Sequence, residues 1–273
     1  MARGRLKKYF IFTKSGIQTV IAYRGRVALW CLGAVINALL MGLLWWAIYE
    51  FSPESVIGGY TFPQMLMYVI LSAIVFEVIN SDSMGTIVDD VRYGLIGMRL
   101  MKPINYRLQL GFTSLGSFVA CMAIVGIPMI IMGLIVALCA FGLSGIVWYN
   151  VLLFLPVTLL SALVYDSIGF LFGQLAFRTQ AMFGVSSMTN VLIGFLSGSM
   201  IPLAIYPSWA QSILFYTPFP TMVSLPVRLF LGQVPWSELG ISVAVSIAWI
   251  IVLNVIAHFA YKGSVRHVVV FGG

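Results

Sequence analysis

Charge is what this chain has least of: 8% of its 273 residues are Asp, Glu, Lys or Arg. With 61% apolar residues and a mean hydropathy of +1.03, too little polar surface remains to coat a soluble globule of this length. Histidine is limited to His258 and His267 and cysteine to Cys31, Cys121 and Cys139, with no paired spacing among them. That excludes a zinc ribbon, a redox dithiol and a disulfide framework, and the cysteines read as small buried hydrophobes. A GxxxxGK[ST] phosphate loop, HExxH and CxxC are all missing from the sequence, so no nucleotide, metal or redox chemistry is expected of the chain itself. Energy from ATP would have to enter through a separate subunit.

The basic residues present are placed unevenly. Arg3, Arg5, Lys7, Lys8, Lys14, Arg24 and Arg26 precede the first long apolar run. Arg92, Arg99, Lys102 and Arg107 fall between the second and third runs, Arg178 after the fourth, and Lys262 and Arg266 after the last. Only Arg228 lies elsewhere. Short basic loops stay cytoplasmic, so this bias predicts an even number of crossings with both termini inside. It also accounts for the net charge of +7 as orientation and attraction to anionic lipid, without nucleic acid as a partner.

Apolar runs long enough to span predict an all-α polytopic protein forming one transmembrane domain over 1–273, with six spans at 27–49, 62–80, 110–141, 148–172, 182–200 and 239–261. The first ends in Trp45, Trp46 and Tyr49, an aromatic belt at a headgroup boundary. Pro128 is a candidate kink in the third. Ahead of the spans, 1–26 reads as a cytoplasmic amphipathic helix lying in the interface, with Leu6, Tyr9, Phe10, Ile17, Val20 and Ile21 on one face. Residues 81–107 form a polar, basic inner segment. Residues 201–238 hold six of the 11 prolines and many aromatics but only two charges, Arg228 and Glu238. A loop in water would be more polar and a spanning helix would not carry those prolines, which predicts a re-entrant pair of short helices.

Two carboxylates sit in apolar sequence, Glu77 and Asp166. A charge at a helix centre costs roughly 2.5–3.5 kcal/mol on insertion scales, so each should face protein or water. Asp166 either lines a pathway or binds a cationic substrate or proton, or it makes an interhelical hydrogen bond or a pair with Arg178; the structural role is preferred. Glu77 reads as interfacial, near Asn80 and Asp82. Gly169–Gly173 and Gly194–Gly198 are GxxxG pairs suited to close helix contact, within one subunit or at a dimer seam.

The order of these features resembles the permease subunit of ABC-2-type exporters, and local sequence is similar to a bacterial subfamily with an inner-loop pattern G-x-L-D-x-x-L-x-[KR]-P. Gly94, Ile96, Leu100, Lys102 and Pro103 fit that pattern, whereas Gly97 stands where it has Asp. Tyr206-Pro207-Ser208-Trp209, Thr217-Pro218-Phe219, Pro226 and Gly232 are similar to the subfamily's P-x-W … PF … P … G hairpin. The resemblance implies an ATP-driven exporter, in the bacterial inner (plasma) membrane, of an amphipathic drug, peptide or lipid-like molecule, as in multidrug efflux. This chain would hold no cofactor, ATP and Mg residing in partner ATPase subunits, and would pair with a second permease, identical or, slightly favoured, paralogous. A coupling helix within 81–103 would dock in the ATPase through Asp89, Asp90, Arg92, Gly94, Arg99, Lys102 and Pro103. Membrane lipid is the remaining partner. The alternatives are an ion-coupled secondary transporter using Asp166 and a non-transporting membrane sensor or scaffold.

Overall fold

A computed structural model describes residues 7–80, 83–101, 103–128, 130–131, 148–177 and 182–264. Among these the chain is built almost wholly from helices. α1 (Phe10–Ala22) runs through a break at Tyr23 into α2 (Arg24–Phe51), the first helix long enough to cross a membrane. A two-stranded hairpin, β1 (Val56–Ile57) and β2 (Tyr60–Thr61), turns on Gly58 and Gly59, both at positive φ (58° and 82°). Glycine is the residue that adopts such angles without strain. A Cβ on Gly58 would also stand 2.8 Å from Ile205 Cγ1, so the turn sits tightly against a later segment.

Thr61 then opens α3 (Phe62–Ile79) with a capping box: its side chain caps the first turn while Gln64 accepts from the Thr61 N–H at 3.0 Å. Two short helices follow, α4 (Ser83–Arg92) and α5 (Leu95–Leu100), joined at Gly94 in the left-handed region (φ 69°). Asn105 caps α6 (Tyr106–Cys121) by accepting from the Leu108 N–H. α6 widens into a π turn at Met122–Gly126. The expected kink at Pro128 is thus expressed one turn earlier, because the proline ring crowds the carbonyl four residues back. The far end of this span and the following turn lie outside the described residues.

α7 (Trp148–Gly173), prolonged by a 3-10 turn at Gln174–Phe177, and α11 (Trp236–Ser264) are the other long apolar helices. Among the described residues, five helices are therefore long and apolar enough to span: 24–51, 62–79, 106–126, 149–177 and 236–263. The sixth expected span, 182–200, contains α8 (Met182–Leu196), whose 15 described residues extend about 22 Å. Gly198 at φ 81° ends it.

The segment after α8 is irregular but its polar backbone is paired. Tyr68 donates to the Gly198 carbonyl at 2.8 Å, Ser72 to that of Ser199 at 3.2 Å, and the Ser224 N–H to that of Ser197 at 3.0 Å. Two more short helices, α9 (Ser208–Phe215) and α10 (Ser224–Phe230), complete the hairpin region. Pro207 precedes α9, and Pro226 lies in the first turn of α10, where no N–H is required. Trp209 is exposed, Phe219 packs on the main core, and the Pro218 carbonyl accepts from Thr221.

α3 is the centre of the bundle. Met65, Tyr68, Leu71, Ile74, Val75 and Ile79 are buried against α7, α10 and the hairpin. α2 and α11 present long runs of exposed Leu, Ile, Val and Phe, the surface that lipid or another helix would cover.

The N-terminal helix packs one face against α6. Thr13, Gly16, Ile17 and Val20 turn toward α6, while Phe10, Ile11 and Ile21 remain exposed. The crossing is close: a Cβ on Gly16 would fall 2.2 Å from the Thr113 carbonyl, and one on Gly116 2.1 Å from that of Thr13. Backbone-to-backbone packing through glycine, more than an apolar stripe, selects the buried face.

Candidate functional site

Two of the three ion pairs among the described residues gather at one end, where α4 and α5 form an elbow beneath α6, α7 and α11. α4 lies across the glycine face of α7. A Cβ on Gly173 would come within 2.7 Å of Ile87 Cδ1, and one on Gly169 would be 3.7 Å from the Met84 nitrogen. The GxxxG pair thus seats the elbow. Gly194, from the second pair, faces Met200 of its own chain segment. Ile87 is fully buried in a cluster with Ile96, Tyr106, Leu110, Phe170 and Ala257.

Two acids fasten this elbow. Asp166, 3% exposed on α7, accepts from Ser83 at the start of α4 and pairs with Arg107 of α6 at 2.5 Å. Ser83 also touches Ser114 at 2.7 Å. Arg107 continues the network: its Nε donates to Asn254 of α11 at 2.8 Å, its Nη2 to Ser167 at 3.3 Å, and its guanidinium lies 4.7 Å from the Phe170 ring centre. Asn254 in turn donates to Ser167 at 2.9 Å. One ion pair and its neutral partners therefore join α4, α6, α7 and α11. Both carboxylate oxygens of Asp166 are engaged, as a buried charge requires. Its ion partner is Arg107; Arg178 lies outside the described residues.

Asp90, 1% exposed, is the second tie. It accepts from Tyr106 at 2.7 Å and pairs with Arg99 of α5 at 2.9 Å. Burial pushes its carboxyl above the usual range, while the Tyr106 and Arg99 contacts act in the opposite sense. Asp90 and Arg99 hold the elbow's shape and are not presented together as outward docking charges. The outward surface consists of Asp89, Arg92, Tyr93, Gly94, Met98 and Met101, with Pro103 beyond them. Lys102 lies outside the described residues. Arg92 stands 5.9 Å from the Tyr93 ring centre.

Glu77 stays apart from this network, half-buried on α3 and in no ion pair among the described residues. Sequence reasoning missed Arg107, Asn254, Ser83 and Ser167 as members of one cluster. The available signal was the set of polar residues interrupting apolar runs, together with an Arg at the first turn of a span.

Among curated proteins, none matches the chain. A family model described as an ABC-2 family transporter protein matches residues 35–271, covering α3 through α11 and most of α2. With its several apolar helices, the chain is a multi-pass membrane protein that belongs to the ABC-2 family of transporter permeases.

Proposed function

We propose that the chain is the membrane subunit of an ATP-driven exporter, coupled through the α4–α5 elbow to a separate ATPase. The observation that carries this reading is the elbow itself. Its outer face offers charges and apolar side chains to a partner, while its inner face is tied to three long helices through Asp90 and Asp166. A push on Asp89, Arg92 or Tyr93 would pass into α6, α7 and α11 together, and such a unit can bias two arrangements of a bundle. The basic bias supports a cytoplasmic position for the elbow and both termini.

The hairpin at 201–238 would then re-enter the membrane from the opposite side. The irregular backbone that leads into it, at Ser197, Gly198 and Ser199, is satisfied by Tyr68, Ser72 and Ser224, as nonhelical backbone within a membrane must be. An amphipathic substrate suits the apolar, aromatic helices. A second permease, identical or paralogous, would complete the path, in the plasma membrane of a bacterium. The charges of the Asp166 cluster are matched within the chain, which favours a lock between helices over an ion-coupling site.

The test is co-purification of the tagged full chain from its native membrane in mild detergent, with ATPase activity measured. The triple substitution Asp89→Lys, Arg92→Glu and Tyr93→Ala changes only exposed elbow residues and should abolish recovery of an ATPase without lowering thermal stability. Recovery of the chain alone, with ion-driven flux lost in Asp166→Asn, would make it a secondary transporter instead.

A further inference from the structure

At the end of the bundle opposite the elbow, the β1–β2 turn, α9, α10 and the start of α11 enclose a cavity of about 350 Å3. Its wall contains both charges of the 201–238 region. Arg228 and Glu238 face each other fork to fork, at 2.7 and 3.2 Å, with side chains 32% and 20% exposed. Two of the five guanidinium N–H groups are used there, and each carboxylate oxygen accepts once, so both groups keep free hydrogen-bonding capacity. Gln211 spends its amide nitrogen on the carbonyls of Ala204 and Tyr206. Its oxygen, and the side chains of Gln233 and Ser242, have no hydrogen-bond partner among the described residues and line the same cavity.

The charges of this wall cancel. A simple anion gains from Arg228 what it loses to Glu238, and a simple cation the reverse. A ligand with a positive and a negative end a few ångströms apart satisfies both without opening the pair.

The setting identifies where such a ligand comes from. α9 turns Gln211 and Phe215 to the cavity and Trp209, Ile213 and Tyr216 outward, these three being 68, 62 and 66% exposed. Trp236, 64% exposed, stacks with Tyr149 at 5.3 Å beside it. Exposed Trp and Tyr with aliphatic neighbours mark the headgroup level of a bilayer. The cavity therefore opens where headgroups are the most abundant dipolar groups.

We infer that this cavity binds a phosphate ester bearing an ammonium group, the phosphate on the free edge of Arg228 and the ammonium on Glu238, with phospholipid headgroups as its source. This inference does not depend on the elbow or on ATP coupling, and it survives if the proposed function fails.

Native mass spectrometry of the full chain in detergent tests it, titrating phosphatidylethanolamine, phosphatidylglycerol and soluble glycerophosphoethanolamine. Phosphatidylethanolamine should bind about tenfold or more tighter than phosphatidylglycerol, the worth of one charge-assisted hydrogen bond. That preference should vanish in Arg228→Gln/Glu238→Gln and in Ser242→Leu, which fills the cavity and leaves the ion pair intact. If the double variant does not fold, Ser242→Leu decides alone. Displacement of the lipid by glycerophosphoethanolamine would mean that the headgroup suffices; binding of the lipid without displacement would mean that its chains contribute. Equal binding of the two lipids by the native chain, or an undiminished preference in a folded cavity variant, would overturn the assignment.

Discussion

Removing either partner of the Asp166–Arg107 pair should destabilise the protein, and unequally. Breaking a buried ion pair by deleting one member costs about 3–5 kcal/mol, because the other is left uncompensated. The Asp166 side chain is 4% exposed and Arg107 22%. Without Asp166, the guanidinium keeps Asn254, Ser167 and the Phe170 ring, and has some access to solvent. Asp166→Asn should therefore cost about 3 kcal/mol, the lower end of that range. Without Arg107, a more deeply buried carboxylate retains only Ser83, so Arg107→Gln should cost about 5 kcal/mol. The double replacement leaves two neutral amides in place of two charges and should cost no more than the worse single change. The coupling is then about 3 kcal/mol, at the top of the range for contacting residues. Equilibrium unfolding in mixed detergent micelles with increasing sodium dodecyl sulfate, followed by tryptophan fluorescence, measures all four corners of the cycle. Additivity within about 0.5 kcal/mol would refute the reasoning, since it would mean the two groups do not depend on each other. So would a larger loss in Asp166→Asn than in Arg107→Gln.

Two further outcomes follow from the packing and the elbow. Gly116→Ala places a methyl group against the Thr13 carbonyl and should lower stability by about 1–3 kcal/mol, the usual range for overpacking, whereas Gly33→Ala, with open space around it, should be neutral or stabilising by up to about 1 kcal/mol in thermal unfolding. Asp90 supplies a pH signature: its carboxyl is raised in the folded state, so the folded protein holds that proton more tightly than the unfolded chain. The contribution of Asp90 to stability is then greatest below about pH 3.9, the unfolded value, and falls as pH climbs toward the raised folded one. Unfolding at a series of pH values should show the deficit of Asp90→Asn relative to the native chain shrinking through that window. A deficit that widens with pH would mean that the Arg99 pair outweighs burial.

The long helices were legible because a bilayer demands about 20 apolar residues in a row, a signal that survives without knowledge of any contact. The C-terminal end of α8 was not. Hydropathy continues through Met200, but the left-handed turn at Gly198 ends the helix at Leu196. At α1 the pattern of large apolar residues showed an apolar face, of which Val20 is buried while Phe10 and Ile21 are exposed. The contact with α6 also uses Gly16, which a hydrophobicity pattern scarcely weighs. Asp166 was visible as an acid in an apolar run, but its partner lies 59 positions away, in what read as an inner loop. The pair Gly169–Gly173 was equally visible, though not that a ten-residue helix from the adjoining polar segment would occupy it.

The π turn at Met122–Gly126 sets which way the third long helix faces beyond it. A π turn accommodates one extra residue in an otherwise regular helix, and each residue advances the helix by about 100°. The half before it turns Leu110, Ser114 and Phe118 to the interior, the π turn itself buries Met122 and Val125, and Ile130 is buried beyond it. The buried positions Leu110, Ser114, Phe118, Met122, Gly126 and Ile130 recur every four residues through the turn, while Ala123 and Ile124 face outward. Loss of a residue at that point would leave a continuous α-helix with its far half turned to new neighbours. The spacing between the elbow's polar cluster and the core at the opposite end is thus fixed by chain length at one turn, and a relative lacking that residue would have to repack everything beyond it.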